Sequence, residues 1–370
     1  MQKTDLFRTG RRSFIRNMSL AVSGVMLSGC NLFEISPAKQ HSNSVAGNAK
    51  NVNTIAGKAK NAMLSMQRAS WEQGTAIQSM IECADHDMLR LLVNEALVRQ
   101  RPDGRTSMLG SDNNVTDPVA AGYGILKSYE LFGDEKYKKA ADKLYNYCKN
   151  IAPRNNAGAL YHVTYAKEIW SDSIYMLPPF LAAYGDYDEC MKQIRGYRTC
   201  LWNPDKKLYH HRWSDDNHSF IEPRFWGGGN GWAAASFAII YELLPADQQA
   251  YKDEIAGYLT ELLDGLQANV RPDGLFNDFI GASDSFVETN LSLMAAFAIF
   301  KGIKTGAIDA TYLEFAKKMK EGALEKVDEY GYVQDAAGSP YFNSPGTSTE
   351  AQAFLLMMLA AEEKLYLYTK

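Results

Sequence analysis

Five short polar turns recur along the chain, and their spacing constrains the fold more than any other feature. Their sequences are QRPDGRT, NNAGALYH, NPDKKLYHH, RPDGLFND and DEYGYVQD, beginning at Gln100, Asn155, Asn203, Arg271 and Asp328. Successive turns are roughly 50 to 65 residues apart, which is the length of one helical hairpin with its loop. The sequence therefore predicts a protein built from repeated helical hairpins.

The segments between these turns have helical periodicity. In DEKYKKAADKLYNYC, apolar positions follow the i, i+4, i+7, i+11 spacing of one helix face, at Tyr137, Ala141, Leu144 and Cys148. Strand patterns are weak throughout. About six hairpins fit into the chain, and none can bury its apolar face alone, so we expect them to close into a ring. We predict an all-α (α/α)6 barrel, with an open solenoid as the alternative.

The N-terminal residues have the pattern of an export signal. Arg11 and Arg12, in RRSFIR, resemble a twin-arginine signal and precede an apolar run that is too short to span a bilayer. The run ends in LSGC, which is similar to a lipobox, so Cys30 is the predicted lipidation site. We expect residues 1–29 to be a signal peptide and the protein to be an exported lipoprotein, tethered to a membrane in the periplasm or at the cell surface. A plain cleaved signal or an uncleaved anchor are the alternatives.

Composition separates the rest of the chain into two parts. Residues 30–60 are rich in Ser, Asn, Ala, Gly and Lys, which predicts a flexible tether, and residues 61–370 form the expected folded domain. The net charge of −4 supplies no basic stripe for phosphates, so nucleic acid is not an expected partner. Four further cysteines permit two disulfides, but we expect free thiols, with Cys190 and Cys200 as the pair that could join.

One aspartate, Asp172, stands in the largely apolar stretch EIWSDSIYMLPPFLAAYG. A buried carboxyl either finds a donor or raises its pKa. Pro178 and Pro179 disfavour an uninterrupted helix, which places Asp172 near a helix start at the mouth of the ring. Asp172 is therefore either a helix cap or a catalytic acid that retains its proton.

Seven motifs, taken in order, resemble one group of glycosidases. They are RASWEQGTAIQ, NVTDPVAAGYGIL, GALYH, WSDSIYM, LYHH, FWGGGNGW and SFVETNLSLMAAFAIFKGI. From about Ala62 to the C-terminus, the chain resembles the unsaturated glycuronyl and rhamnogalacturonyl hydrolases of glycoside hydrolase families 88 and 105. The most specific part is W-x-D-x-x-Y-M followed by G-N-G-W. The resemblance also implies an (α/α)6 barrel.

The resemblance implies an enzyme and a reaction. Such a hydrolase removes a terminal unsaturated uronic acid from lyase-generated oligosaccharides by hydrating the C4=C5 double bond. Asp172 would be the general acid and base and Asp117 its partner, with no metal or other cofactor. The substrate-binding residues implied by the matching motifs are Trp71, His162, His211, Trp226, Asn230 and Trp232.

One position departs from the family pattern. Gly228 stands where these families usually carry an arginine that helps to bind the uronate, and arginine is the usual partner of a carboxylate. Arg224 is the predicted replacement, and Arg212 is the second candidate. Two other interpretations stay open: the same barrel acting on a different, possibly saturated, glycoside, and a non-catalytic glycan-binding lipoprotein.

Three polar segments have a structural and a functional interpretation. HHRWSDDNH, from His210 to His218, contains metal-binding residue types, but a solvated turn is the favoured interpretation. ETN at Glu288 and STEAQ at Ser348 each precede an apolar helix, which predicts N-capping. Contacts with a glycan at the barrel rim are the alternative.

Overall fold

Helices dominate the part of the chain that the computed structural model describes, namely residue 47, residues 51–107 and residues 111–368. The helices are α1 (Ile55–Met66), α2 (Ser70–Glu82), α3 (His86–Val98), α4 (Gly122–Phe132), α5 (Glu135–Asn146), α6 (Ser173–Met176), α7 (Pro178–Tyr184), α8 (Tyr187–Leu201), α9 (Gly227–Leu243), α10 (Gln249–Gln267), α11 (Asn290–Thr305), α12 (Leu313–Leu324) and α13 (Thr349–Tyr368). The strands are short: β1 (Glu168–Trp170), β2 (Trp202–Asn203), β3 (Leu208–Tyr209), β4 (Arg212–Ser214), β5 (Ser219–Glu222), β6 (Phe276–Asn277) and β7 (Val287–Glu288).

The helices form two concentric rings. Helices α2, α4, α7, α9, α11 and α13 contact one another in that order, and α13 returns to pack on α2. Each inner helix is paired with the outer helix that follows it, and α1 supplies the outer partner of α13. The ring is closed, so the structure confirms the predicted (α/α)6 barrel and excludes the open solenoid.

The amino-acid pattern explains which helices lie inside. Helix α9 has the sequence GGGNGWAAASFAIIYEL and is buried from Gly227 to Tyr241, because a helix that is apolar on all sides needs neighbours all round. Outer helix α5 buries only one stripe, formed by Tyr137, Ala140, Ala141 and Leu144. This stripe confirms the face predicted from periodicity.

The recurring turns are short β-like connections that lead from each outer helix to the next inner helix. Four are closed by antiparallel pairs, and the fifth by the Arg271 amide donating to the Leu275 carbonyl at 2.9 Å. In the first turn, Asp103 Oδ1 accepts from the Arg105 amide at 3.1 Å, and Gly104 has a φ of +106° that L-residues rarely adopt. The repeated Asp-Gly sequence therefore encodes the turn itself.

A three-stranded antiparallel sheet in the order β1-β4-β5 connects the fold to its candidate site. Trp170 pairs with Arg212, and the Ser171 amide donates to the His211 carbonyl at 3.0 Å. This register brings the WSD and HHRW motifs side by side. The chain then forms the single turn α6 and breaks at Leu177 before Pro178, as the two prolines predict.

The predicted tether boundary is wrong at its C-terminal end. Helix α1 begins at Ile55, where the Thr54 hydroxyl accepts from the Gly57 amide at 3.1 Å, so residues 55–60 belong to the folded domain. Small side chains hide this helix in the sequence. Ala56 and Ala59 are buried, and Lys60 is neutralised by Asp85 at 2.6 Å.

Other predictions concern the N-terminus and the cysteines. The predicted signal peptide and Cys30 lie outside the described residues and stay predictions. Within the described residues, no helix combines the length and the apolar character needed to cross a membrane. Cys83, Cys148, Cys190 and Cys200 are free, which confirms the expectation of unpaired thiols.

Candidate active site

The inner helices all begin at the same end of the barrel, and a cavity of about 340 Å³ lies there. This volume is in the range of small-molecule sites in proteins. The cavity wall brings together seven of the predicted site residues, Trp71, Asp117, His162, Asp172, His211, Trp226 and Trp232. The N-terminal ends of the inner helices contribute partial positive charge to this mouth.

Asp172 lies at the N-cap position of α6, but its side chain makes no capping hydrogen bond. The helix-cap interpretation is therefore wrong. The residue is only 8% exposed, and burial raises the pKa of its carboxyl to about 7, although the positive charge of Arg212 opposes the shift. Asp172 can thus hold or release a proton near neutral pH.

Asp117 begins a 3-10 turn, Asp117–Val119, and is also buried in the cavity wall. Burial, followed by the negative charges of Asp172 and Glu350, raises the pKa of Asp117 well above its usual value, while the Asn114 amide that donates to Oδ2 opposes the shift. Because the two aspartates repel one another when both are ionised, their titrations are coupled.

Two neutral histidines, His162 and His211, line the cavity wall together with the aspartates. His162 Nδ1 shares hydrogen bonds with the hydroxyls of Thr116 at 2.9 Å and Ser173 at 3.0 Å, and its Nε2 is 3.7 Å from Asp117 Oδ1. Burial lowers the pKa of both His162 and His211 to about 3. Both rings are therefore neutral at physiological pH.

The aromatic walls are fixed by hydrogen bonds from their indole nitrogens. Trp226 Nε1 donates to Asp278 Oδ1 at 3.0 Å, and Trp71 Nε1 donates to Glu350 Oε1 at 2.6 Å. Trp170 stacks on His162 with ring centroids 4.3 Å apart. Fixed aromatic faces of this kind are suited to contact with a sugar ring.

The space beside Gly228 is occupied by the ring of Trp226. A Cβ atom at this position would lie 2.5 Å from the ring of Trp226, closer than side chains can pack. Since Asp278 holds that ring, Trp226 occupies the volume through which a side chain at position 228 would have to pass. The Trp226 ring therefore fills the space into which a side chain at position 228 would extend.

The structure does not bring Arg224 or Asn230 into the cavity wall. Arg224 has a side chain 52% exposed, pairs with Glu222 at 2.6 Å, and lies 3.6 Å from the centre of the Phe279 ring, which is itself part of the cavity wall. Asn230 is buried and bridges the Tyr209 backbone, accepting from its amide at 2.8 Å and donating to its carbonyl at 3.0 Å. Neither side chain lines the cavity, because one is paired at the rim and the other is used within the fold, and their predicted contacts with substrate stay predictions.

Arg212 is likewise engaged behind the cavity. Its guanidinium pairs with Glu168 at 2.7 Å and lies 4.3 Å from the centre of the Trp170 ring. No lysine or arginine side chain lines the cavity among the residues that the structure describes. A carboxylate inside this cavity would therefore meet no direct cationic partner.

The cavity also contains three carboxyls outside the predicted site residues, and two of them belong to the ETN and STEAQ segments, for which glycan contacts were the alternative interpretation. Asp278, Glu288 and Glu350 line the wall, and burial raises their pKa values to about 6, 7 and 7. Glu288 caps α11 as ETN predicts, because it accepts from the amides of Asn290 at 2.9 Å and Leu291 at 2.8 Å. The available signal was the recurrence of acidic residues just before or within the first turn of inner helices.

The HHRWSDDNH segment is dispersed into separate contacts. Asp215 accepts from the Tyr161 hydroxyl at 2.9 Å, Asp216 pairs with Lys167 at 2.8 Å, and His210 Nδ1 contacts the Pro223 carbonyl. In residues 51–107 and 111–368, no three potential metal ligands converge. The segment builds the sheet that positions His211.

A closed six-hairpin barrel with buried aspartates beneath aromatic rings at one mouth defines the six-hairpin glycosidase class. The match to a family model is more specific: residues 45–368 match Glycosyl Hydrolase Family 88, and the chain belongs to this family. The resemblance seen in the motifs is thereby confirmed.

Two curated relatives and one solved structure are similar to the chain. It is 27% identical over 228 residues to unsaturated rhamnogalacturonyl hydrolase YesR of Bacillus subtilis, covering 58% of this chain and 64% of the relative. It is 25% identical over 195 residues to an unsaturated 3S-rhamnoglycuronyl hydrolase of Formosa agariphila, covering 46% and 51%. A possible family 105 member from Salmonella enterica has the same fold, with a TM-score of 0.74 at 17% identity, covering 92% of this chain and 100% of that chain.

Proposed function

We propose that this protein is a glycoside hydrolase that removes a terminal unsaturated uronic acid from oligosaccharides produced by polysaccharide lyases. The observation that carries the proposal is the pairing of Asp172, whose pKa is about 7, with Asp117 in one buried cavity. The names of the two relatives support this substrate class.

The proposed reaction begins with proton transfer to carbon. The substrate ring has a C4=C5 double bond conjugated with a carboxylate and joined to the ring oxygen. Asp172 donates its proton to C4, which leaves an oxocarbenium-like centre at C5. Water adds to C5 and gives its proton to the Asp172 carboxylate, so the acid is regenerated. The resulting hemiketal opens and releases the rest of the oligosaccharide.

The environment of Asp172 suits both proton transfers. A general acid–base group works best when its pKa is near the operating pH, and burial brings Asp172 there. Asp117 contributes through coupling, because a negative charge on either aspartate disfavours ionisation of the other. We assign Asp172 the proton transfer and Asp117 the role of its electrostatic partner.

A saturated or neutral glycoside is the second candidate substrate, because the described cavity wall contains no lysine or arginine. The full-length protein should be incubated with an unsaturated uronyl disaccharide and with its saturated counterpart. Loss of the ultraviolet absorbance of the conjugated double bond, with release of the second sugar, supports hydration. Cleavage of the saturated substrate alone would overturn the proposal in favour of ordinary glycoside hydrolysis.

We also propose that the protein is exported and attached to a membrane through lipid on Cys30. The support is the LSGC sequence after a short apolar run. Cys30→Ala should move the protein from the membrane fraction to the aqueous fraction while its thermal unfolding is unchanged. Retention of the variant in the membrane fraction would contradict lipidation at this residue.

A further inference from the structure

Two buried oxygen atoms in the cavity wall lack a hydrogen-bond partner within the described part of the chain. They are Oε2 of Glu350 and Oδ1 of Asn290, and the two residues are only 4% and 5% exposed. The Ser348 hydroxyl lies close enough to lower the pKa of Glu350, but it does not meet Oε2 with hydrogen-bond geometry. Buried polar atoms are normally satisfied, so two such atoms in one cavity indicate places for a ligand.

Helix packing places these atoms on adjacent parts of the wall. Asn290 is the first residue of α11 and Glu350 the second of α13, and these two inner helices pack directly on each other. Glu350 is also near the reacting groups, since its charge acts on Asp117. The two oxygens therefore belong to the same chamber as the catalytic pair.

Glu288 shows that burial in this cavity does not by itself leave an oxygen unpaired. Its Oε1 accepts from the amides of Asn290 at 2.9 Å and Ala337 at 3.1 Å, and its Oε2 accepts from the Leu291 amide at 2.8 Å. In Glu350, Oε1 accepts from Trp71 Nε1, whereas Oε2 has no hydrogen-bond partner among the described residues. Glu288 therefore uses both carboxyl oxygens within the fold, whereas Glu350 has one oxygen that can still accept a hydrogen bond from a ligand.

The chemistry of the proposed substrate matches two such atoms. An unsaturated uronic ring uses C1 for the glycosidic bond, C4 and C5 for the double bond and C6 for the carboxylate, which leaves free hydroxyls at C2 and C3. A hydroxyl both donates and accepts, so it can bond to a carboxyl in either protonation state. We propose, resting on the function proposed above, that Glu350 Oε2 and Asn290 Oδ1 bind the C2 and C3 hydroxyls of the terminal unsaturated sugar.

Because the described cavity wall has no cation for the sugar carboxylate, contacts with the sugar hydroxyls contribute a large share of substrate recognition. His162 and His211 are neutral at physiological pH, and the described wall has no lysine or arginine to pair with the sugar carboxylate. Hydroxyl contacts and the aromatic faces then carry specificity. Glu350 and Asn290 are accordingly specificity-determining residues.

The test compares two variants on substrates that lack one hydroxyl. Glu350→Gln keeps an oxygen for Trp71 but replaces Oε2 by an amide nitrogen that cannot accept, so a sugar hydroxyl loses the acceptor that the ionised carboxyl offers. Asn290→Ala removes Oδ1, while the backbone amide of residue 290 still binds Glu288. The probe is an unsaturated uronyl–rhamnose disaccharide, with its 2-deoxy and 3-deoxy analogues. Each variant should raise KM for the parent by about 10-fold, with kcat changed by less than about threefold. On the deoxy analogue that lacks the hydroxyl bound by the substituted residue, the KM of the variant should be close to the KM of wild type on the same analogue.

Glu288→Gln is the matched control, since the same change is made to a carboxyl already used by backbone amides. It should lower the melting temperature while leaving the KM ratio between parent and deoxy analogues at its wild-type value. If Glu350→Gln raises KM by the same factor for the parent disaccharide and for both deoxy analogues, the proposal is overturned and Glu350 has a structural role. Unchanged KM in both variants would also overturn it.

Binding to an inactive protein separates this inference from the proposed reaction. In an Asp172→Asn background, calorimetry should show disaccharide affinity that falls about 10-fold on adding Glu350→Gln. If wild type does not consume the double bond but this hydroxyl-dependent binding is seen, the reaction is wrong and the binding pair stands. If wild type consumes the double bond but Glu350→Gln does not change the affinity for the disaccharide, the proposed reaction is supported and the proposed hydroxyl contacts are wrong. Absence of binding would overturn the pair.

Discussion

Two buried glutamates at opposite ends of the barrel have opposite acidities. Glu82 ends α2, and its pKa is lowered to about 2, whereas Glu350 begins α13, and its pKa is raised to about 7. Burial acts in the same direction on both. The difference is that Glu82 Oε1 accepts from Lys301 at 3.0 Å and Oε2 from Lys364 at 3.1 Å, while Glu350 has no cationic partner in the described cavity wall.

The comparison shows how one barrel divides stability and chemistry between its two ends. At the end of the barrel away from the cavity, which we call the closed end, Lys301 of α11 and Lys364 of α13 neutralise Glu82. At the open end, carboxyls are buried without cations, so the partial positive charge of helix N-termini is outweighed by desolvation. That imbalance keeps protons on acids near neutral pH, which the proposed reaction requires.

The largest effect is expected at the open end, from Asp172→Asn. The amide has nearly the same shape but no transferable proton, so turnover should fall by about two to four orders of magnitude while the disaccharide still binds. Steady-state kinetics and calorimetry measure the two quantities. Near-normal turnover would mean that Asp172 is not the proton donor. Asp117→Asn should also reduce turnover through the loss of coupling.

A stability effect of similar weight is expected at the closed end. Lys301→Met leaves Glu82 buried with one of its two cationic partners and should cost about 3–5 kcal/mol of the free energy of unfolding. Lys364→Met is the matched control, because its half-exposed side chain can be replaced in part by water, and it should cost about 1 kcal/mol or less. Urea unfolding measures the free energy of unfolding of both variants. Equal decreases in the two variants would contradict a larger contribution from the buried Glu82–Lys301 pair.

The pH dependence of this loss follows from the lowered pKa of Glu82. Its stabilising contribution is present above the ordinary value of 4.5 and is lost as the pH falls towards 2. The difference between wild type and Lys301→Met should therefore shrink over that acidic interval. A difference independent of pH would show that packing, not charge pairing, is responsible.

Catalysis should respond to pH in a different range. If Asp172 must be protonated in the free enzyme, kcat/KM should fall about tenfold per unit above its pKa of about 7 and stay level just below it. Protein unfolding followed in the same buffers is the control. A decline that begins near pH 4 would assign the proton to an ordinary carboxyl and contradict the raised pKa.

The sequence was sufficient for the repeated elements and insufficient for the contacts between them. Periodicity and the Asp-Gly turns depend on local backbone preferences, so the hairpins and their number could be predicted. The positions of Asp172 and His211 in one site could be expected from the motif order. Asp278 could not be assigned, and the STEAQ segment that contains Glu350 kept two interpretations, because the role of each carboxyl depends on which indole it meets across the ring.

Arg224 is a residue that the sequence placed in the site but that the structure places outside the cavity wall. Its position four residues before Gly228 predicted a contact with the uronate, but sequence distance does not reveal that Glu222 binds the guanidinium through two hydrogen bonds, at 2.9 and 2.6 Å. Likewise, Asn230 in the G-N-G-W motif could be expected in the pocket, yet its amide is used entirely by backbone groups. Which partner a side chain binds depends on the tertiary structure and cannot be predicted from sequence distance.

The smallest effect is therefore expected from Arg224→Ala. The side chain is half exposed, paired with Glu222 and situated over Phe279 at the rim, so its influence on a bound carboxylate is screened by water and salt. KM for the unsaturated disaccharide should rise by less than about threefold, and the rise should vanish in about 0.5 M salt, where the screening length is only a few ångströms. A neutral glycoside of similar shape serves as the control and should show no change. A rise of tenfold or more on the charged substrate alone would mean that Arg224 leaves Glu222 when substrate binds, and the open end would then have the cationic partner that distinguishes the closed one.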